Sequence, residues 1–203
     1  FEPAGRTIGD LDTPMPVVDI DVVDRNIRRW QRQCDRLGIL NRPHIKTHKL
    51  TGLARFQLAV GAVGITVQKL GEAEIMAAAG ISDMLLTFNV VGATKLRRLA
   101  ALARCTDIKV VADSPEVVAG LGEAGIGASR PIAVLVECDT GGGRNGVQSP
   151  AAAAGLARTI DATSGIFYGG LMTYPAPGAR EATRAFFEEA RTLAAAAGLS
   201  TTT

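Results

Sequence analysis

Ile132-Ala133-Val134-Leu135-Val136-Glu137 is the stretch that decides the fold. Its first five residues are apolar, without the period-two alternation of a strand wetted on one face. A short continuous run of this kind suits a parallel strand covered on both sides. Its surroundings repeat the pattern. Short apolar or β-branched runs stand at 43–46, 65–68 (Ile65-Thr66-Val67-Gln68), 83–88 (Asp83 to Phe88), 108–112 (Ile108 to Ala112) and 167–173. Met84-Leu85-Leu86 within the third is as continuous as the run at 132–137. Helical stretches lie between, at about 50–60, 70–79, 93–103, 114–124 and 150–162, and a last one covers about 179–197. Strands alternating with helices of this length imply βαβ units and a parallel sheet.

Six such units in succession, with no dinucleotide fingerprint at the first turn, point to an α/β chain of the (β/α)8 TIM-type barrel class rather than a doubly wound sheet. A whole barrel takes eight strands and usually about 250 residues. The chain has 203 and stops about where a seventh strand should begin. The expectation is one barrel domain over residues 1–203, incomplete at about six units and truncated before strands seven and eight.

Upstream, residues 1–15 read as an irregular lead-in, with Pro3, Gly5, Gly9, Pro14 and Pro16 as breakers. Val17-Val18-Asp19-Ile20 reads as a short strand and Asp21 as the N-cap of a helix, with Asp24 in its first turn. Val23, Ile27, Trp30, Cys34 and Leu37 then recur at steps of four and three, one apolar face on which Trp30 packs, and Gly38 stops the helix.

Charged residues make up 21% of the chain and the net charge is +2, so neither nucleic acid nor a membrane surface is expected as the main partner. Aromatic content is only 4%, which suits close-packed helices over a sheet. The three cysteines, Cys34, Cys105 and Cys138, are scattered without a CxxC, and read as small core residues in a reduced, cytoplasmic setting. No apolar run approaches the roughly 20 residues that span a bilayer, and no signal peptide is visible. The chain begins at Phe1 rather than methionine, so the natural start is expected upstream.

In barrels the active site gathers at the C-terminal ends of the strands. There the sequence places Lys46 with His44 and His48, then Gln68 and Lys69, then Thr87 and Asn89, the run Glu137 to Gly146, and Met172-Thr173-Tyr174. A lysine at the end of a buried strand suggests a Schiff base, because desolvation frees a nucleophilic amine. Arg144, on a glycine-rich loop, can approach a ligand closely as a fixed cation. Tyr174 can stack on a ring. Together they fit pyridoxal 5'-phosphate (PLP), which acts as an electron sink while the protein selects the bond to break. Plainer readings stand beside these: Lys46 as an exposed loop lysine, Arg144 in a flexible turn, Tyr174 as a strand end before Pro175. His44 and His48, four apart at a strand end rather than on a helix, suit hydrogen bonding better than a metal pair. Gln68, Thr87 and Asn89 have no assigned role.

Thr13-Pro14, Val18-Asp19-Ile20-Asp21, Asn26-Ile27, Arg42 to Lys49, Gln68-Lys69-Leu70-Gly71-Glu72-Ala73-Glu74, Asp139 to Gly146 and Gly170 to Tyr174 occur in an order that resembles the D-threonine aldolase and D-serine dehydratase family. That family belongs to the alanine racemase-like, fold-type III PLP enzymes. The resemblance implies a barrel of the alanine racemase N-terminal kind. It also implies Lys46 as the lysine bound to the cofactor aldehyde, Arg144 as partner of the ring oxygen and Tyr174 as the stacking residue. The expected activity is a cytoplasmic lyase cleaving D-threonine-like D-β-hydroxy amino acids to glycine and an aldehyde. The substrate is a small D-amino acid and the intact protein a homodimer. Dehydration of D-serine or another D-3-hydroxy amino acid is the rival, although tyrosine at 174 leans toward the aldolase. PLP binding without turnover is a further alternative. The resemblance also implies a phosphate-cradling loop directly after Thr203. A divalent metal (Mn, Mg or Zn) would sit in a C-terminal β-domain absent from this chain.

Overall fold

The computed structural model describes residue 5 and residues 7–201, so Pro3 among the expected breakers lies outside the described residues. The chain divides into two compact units, Phe1–Leu40 and Asn41–Thr203.

The first unit holds a 3-10 turn, Ile8–Asp10, and helix α1, Ile20–Leu37. Residues 17–19 form no strand, because Asp19 rather than Asp21 caps the helix. Its Oδ1 accepts from Asp21 N at 2.9 Å and Val22 N at 3.0 Å, satisfying two amides of the opening turn. Gly38 closes α1 in the left-handed conformation (φ 65°). The apolar stripe is rotated from its expected position. Val23 and Ile27 are half-buried and Cys34 is buried, but Trp30 is 59% exposed and Leu37 is exposed too. Gln31 takes the buried place, donating to Asp35 Oδ1 at 2.9 Å. Positions 30 and 31 both fit a 3.6-residue period, so residue type alone favours the wrong one.

The second unit is a five-stranded parallel sheet in the order β1 (Ile65–Val67), β2 (Asp83–Leu86), β3 (Asp107–Ala112), β4 (Ile132–Cys138) and β5 (Ile166–Thr173). Each strand is followed by a helix: α3 (Leu70–Ala78), α4 (Ala93–Ala103), α5 (Pro115–Ala128), α6 (Pro150–Asp161) and α7 (Arg180–Ala196), with α2 (Thr51–Val60) before β1. Sequential order without a switch point is that of a barrel wall, not of a doubly wound sheet. The register pairs Met84 with Ile108 and Val110 with Val134. These residues point to the helix side and pack in one buried cluster with Leu99, Leu121, Leu156 and Ile160. The opposite face carries Thr66, Asp83, Lys109 and, at the end of β4, Glu137.

The expected strand at 43–46 shrinks to one bridge, His44 to Thr66. Pro43 has no N–H to give a ladder, although its carbonyl accepts from Thr66 N at 2.8 Å. The chain then turns at once into a 3-10 turn, Ile45–Thr47, capped by His44. Helix α5 runs to Ala128, four residues beyond its expected end. Cys34 and Cys138 are buried, but Cys105 is exposed, contrary to expectation. Among the described residues no helix is long and apolar enough to cross a membrane.

Candidate active site

The strand ends that face one way bring together groups from distant parts of the sequence. Lys46 is the middle residue of the turn Ile45–Thr47. Ile45 takes the interior position at 0% exposure, and Lys46 is exposed. The burial on which the sequence argument for a Schiff base leaned is therefore absent. What flanks the amine is an aromatic ring: Lys46 Nζ lies 5.5 Å from the Tyr174 ring centroid. Arg144 Cζ lies 5.1 Å from the same centroid. Each contact is of a kind worth about 0.5–1 kcal/mol at an exposed site. Amine, guanidinium and ring thus converge from the turn before β1, the loop after β4 and the end of β5. Arg144 and Tyr174 also line a cavity of about 220 Å³ with Glu137, Asp139 and Asn145; Lys46 does not line it.

The glycine-rich loop after β4 is pinned. Asp139 Oδ1 accepts from the backbone N–H of Gly141 (2.9 Å), Gly142 (2.7 Å) and Gly143 (3.1 Å). With Gln148, these donors hold the Asp139 carboxyl below its ordinary value. Gly146 has φ +110°, and a Cβ there would meet Asp139 N at 2.6 Å, so the loop closes only with glycine at this position. Thr140 and Thr173 hydroxyls bond at 2.9 Å, and Thr173 donates to Cys138 O at 2.8 Å, tying the loop to β5.

Both histidines serve the turn. His44 Nδ1 accepts from Lys46 N at 3.3 Å, and its Nε2 lies 3.3 Å from Gln68 Oε1. That pairing puts the ring proton on Nε2. Burial, then the charge of Lys46, pushes His44 below its ordinary value and favours the neutral ring. His48 Nδ1 accepts from Leu50 N at 3.0 Å, and burial lowers His48 as well. Its Nε2 is buried with no partner in bonding geometry. Glu72 accepts from Gln68 N at 2.8 Å and pairs with Lys49 at 3.2 Å. Burial pushes Glu72 up, but these partners outweigh it and leave the carboxyl low. Cys138 is pushed up to about 12, by burial first and then by Glu137, which makes it an inert thiol.

A polar network missing from the sequence reading runs across the strand ends. Asn89, after β2, donates to Asp113 Oδ1 at 2.7 Å, and Gly146 N donates to Asp113 Oδ2 at 3.2 Å. Asn145 donates to Glu137 Oε1. Asn89 Oδ1 and Glu137 Oε2 are buried without a partner. Burial, then the neighbouring Asp113 charge, pushes Glu137 up against the opposing effects of Asn145 and Arg144. The one sequence signal for Asp113 was its place just past a strand. Among the described residues, no group of three or more His, Cys, Asp or Glu is arranged to hold a metal.

Residues 18–202 match the family described as alanine racemase, N-terminal domain. The chain belongs to this family. Among curated proteins, the D-threonine aldolase of Arthrobacter sp. is 39% identical over 170 residues, 84% of this chain and 45% of its own. The D-threo-3-hydroxyaspartate dehydratase of Delftia sp. (strain HT23) is 36% identical over 171 residues, 83% of this chain and 44% of its own. The crystal structure of D-threonine aldolase from Filomicrobium marinum superposes with a TM-score of 0.93 at 32% identity, covering 97% of this chain and 56% of that one. The chain thus spans less than half the length of the curated relatives it matches. The family accounts for the sequential parallel strands, and the barrel-wall reading of the sheet holds.

Proposed function

We propose that this chain forms the PLP-binding wall of a carbon–carbon lyase that cleaves D-threonine-like D-β-hydroxy amino acids to glycine and an aldehyde. The convergence of Lys46 and Arg144 on the Tyr174 ring, at 5.5 and 5.1 Å, carries the reading. The identity with the Arthrobacter aldolase supports the choice of reaction.

The residues present fit the cofactor. A primary amine can hold an aldehyde covalently, a guanidinium can hold a phenolic oxygen, and an exposed aromatic ring can stack on a pyridine. Two buried oxygens without partners, on Glu137 and Asn89, stand at the same strand ends and await a polar ligand. In this reading Lys46 Nζ, Arg144 and Tyr174 hold the cofactor. Bound there, PLP supplies an aldehyde for the substrate amine and a ring that accepts the electron pair released at Cα. Arg144 would offer its guanidinium N–H donors to the ring oxygen. The neutral His44 shapes the turn that presents Lys46, and the Asp139 cage holds the backbone beneath Arg144. Removal of the hydroxyl proton is assigned to no residue of this chain, and the divalent metal implied by the resemblance is given no ligand here. The homodimer remains part of the same proposal.

The test is the intact mass of the protein with PLP before and after borohydride reduction, in wild type and Lys46→Ala. A cofactor-sized increment mapped to the peptide holding Lys46, and lost in the variant, is expected; no increment in the wild type would sink the PLP reading. Reaction type is then scored with D-threonine and D-serine in parallel. Glycine plus acetaldehyde from D-threonine is expected. A dehydratase is the second reading, favoured by the 36% identity to the Delftia enzyme. Pyruvate from D-serine without glycine from D-threonine would decide for it. Cofactor binding with no product from any D-amino acid would leave a binding protein.

A further inference from the structure

We propose that Glu137 is a positioning residue for Arg144, acting through the side chain of Asn145. The inference rests on the reading of Arg144 as a contact to bound PLP and adds the device that aims it.

Arg144 is exposed on a loop, and a long side chain there samples many rotamers unless something selects one. Its Nε donates to Asn145 Oδ1 at 2.6 Å. This contact fixes the plane of the guanidinium and leaves both terminal NH2 groups for a ligand. The Asn145 amide cannot flip, because its Nδ2 donates at the same time to Glu137 Oε1; turning it over would lose both bonds. Glu137 is 2% exposed and sits in β4, in register with Met172 of β5, so the chain of bonds ends on rigid sheet. The backbone on either side of Arg144 is held separately, by Asp139 on the glycines before it and by Asp113 on Gly146 after it. What the pair Glu137–Asn145 adds, through Glu137 Oε1, is the direction of the Arg144 side chain.

The asparagine between carboxyl and guanidinium matters. A carboxylate in direct contact with Arg144 would draw the cation into an ion pair and compete with any anionic ligand. Here one carboxyl oxygen only accepts from an amide. Burial and the nearby Asp113 favour the neutral acid. A neutral glutamine can do the same work, whereas an apolar side chain cannot.

The experiment titrates two probes into the intact protein, PLP and pyridoxine 5'-phosphate. The second has no aldehyde, so its binding does not depend on covalent capture by Lys46. The proteins are wild type, Arg144→Ala, Asn145→Ala, Glu137→Leu, Glu137→Gln and the double variant Arg144→Ala/Asn145→Ala, each with its melting temperature. We expect Asn145→Ala to weaken both probes by roughly tenfold. Glu137→Leu should do the same, with Glu137→Gln recovering most of the loss. The double variant should bind no worse than Arg144→Ala alone, a non-additivity that general damage to the fold would not produce. Losses that add independently, or an unchanged Asn145→Ala, overturn the inference while PLP binding by wild type stands. Should Glu137→Leu not fold, the Asn145 cycle decides alone. A wild type that binds neither probe overturns this inference together with the functional reading beneath it.

Discussion

Tyr174 is 63% exposed, yet it is the common neighbour of the two cations on which the proposed chemistry depends. Its ring can do two jobs: spread a π face toward Lys46 and Arg144, and stack on a flat ligand. Both belong to the ring and neither to the hydroxyl. Tyr174→Phe should therefore keep PLP affinity within about threefold, while Tyr174→Ala should lose roughly tenfold, a contrast of about 1–1.5 kcal/mol for one aromatic contact. Equilibrium titration of both variants checks this. Equal losses would move the role to the hydroxyl and away from stacking. Tyr174 and Arg144 were legible as candidates because a loop of three glycines and an aromatic at a strand end are visible in sequence. The environment of Lys46 was not legible. Whether a residue beside a strand end points inward depends on where the strand stops, and here Pro43 and the His44 cap stop it early.

At the scale of elements, α5 runs on to Ala128, past the expected end at about 124, although Gly120, Gly122, Gly125 and Gly127 all lower helix propensity. The helix continues because two of these glycines make room for other backbone. A Cβ on Gly125 would lie 1.7 Å from Gly165 O, and one on Gly122 3.0 Å from Ser164 O. Gly127 is different: a Cβ there would meet Ala100 Cβ at 3.6 Å, an ordinary contact. The two sites give opposite predictions for the same substitution. Gly125→Ala should destabilise by about 1–3 kcal/mol through forced displacement. Gly127→Ala should stabilise by about 0.5–1 kcal/mol through helix propensity. Urea unfolding of both variants measures this, and a stable Gly125→Ala would show that α5 and the β5 entry are not in close contact. The strands were easier to read. In the run Ile132 to Val136 every residue but the half-buried Ala133 is buried, and continuous apolar sequence is what that demands. The network of Asn89, Asp113, Glu137 and Asn145 was unreadable for the opposite reason. Its members come from separate strand ends, and only register brings them level.

Across the larger unit, the proposed site and an ion-paired hub occupy opposite ends of the sheet. Lys46, Arg144 and Tyr174 stand at the C-terminal ends of the strands. At the N-terminal ends Asp83 opens β2 and Asp107 opens β3. Asp83 accepts from Arg42 at 2.6 and 3.2 Å and from Lys109 at 2.8 Å, and Lys109 reaches on to Asp107 at 3.1 Å. Arg42 is held closely enough that a Cβ on Gly64 would collide with its guanidinium. The hub thus ties the segment before β1 to β2 and β3, a job the single bridge at His44 cannot do alone. Burial pushes the Asp83 carboxyl up, but Arg42 and Lys109 outweigh it and the net direction is down from 3.8. The sign follows from linkage. A carboxyl lowered in the folded state contributes stability above its unfolded value and loses it as pH falls through the folded value. Asp83→Asn should therefore melt lower at neutral pH. Because the group is one-third exposed, screening limits the loss to about 1 kcal/mol or roughly 2–4 °C. The gap should narrow as pH falls below 3.8 and the wild-type carboxyl, lowered by its partners, takes up its proton as well. PLP binding at neutral pH should not change, since the hub and the proposed site share no residue. Melting curves of wild type and Asp83→Asn across this pH range, beside a PLP titration at neutral pH, test both halves. Parallel curves would remove Asp83 from the acid response. A lost affinity without a lost melting temperature would mean that the two ends of the sheet are coupled, and the separation of scaffold from site would fail.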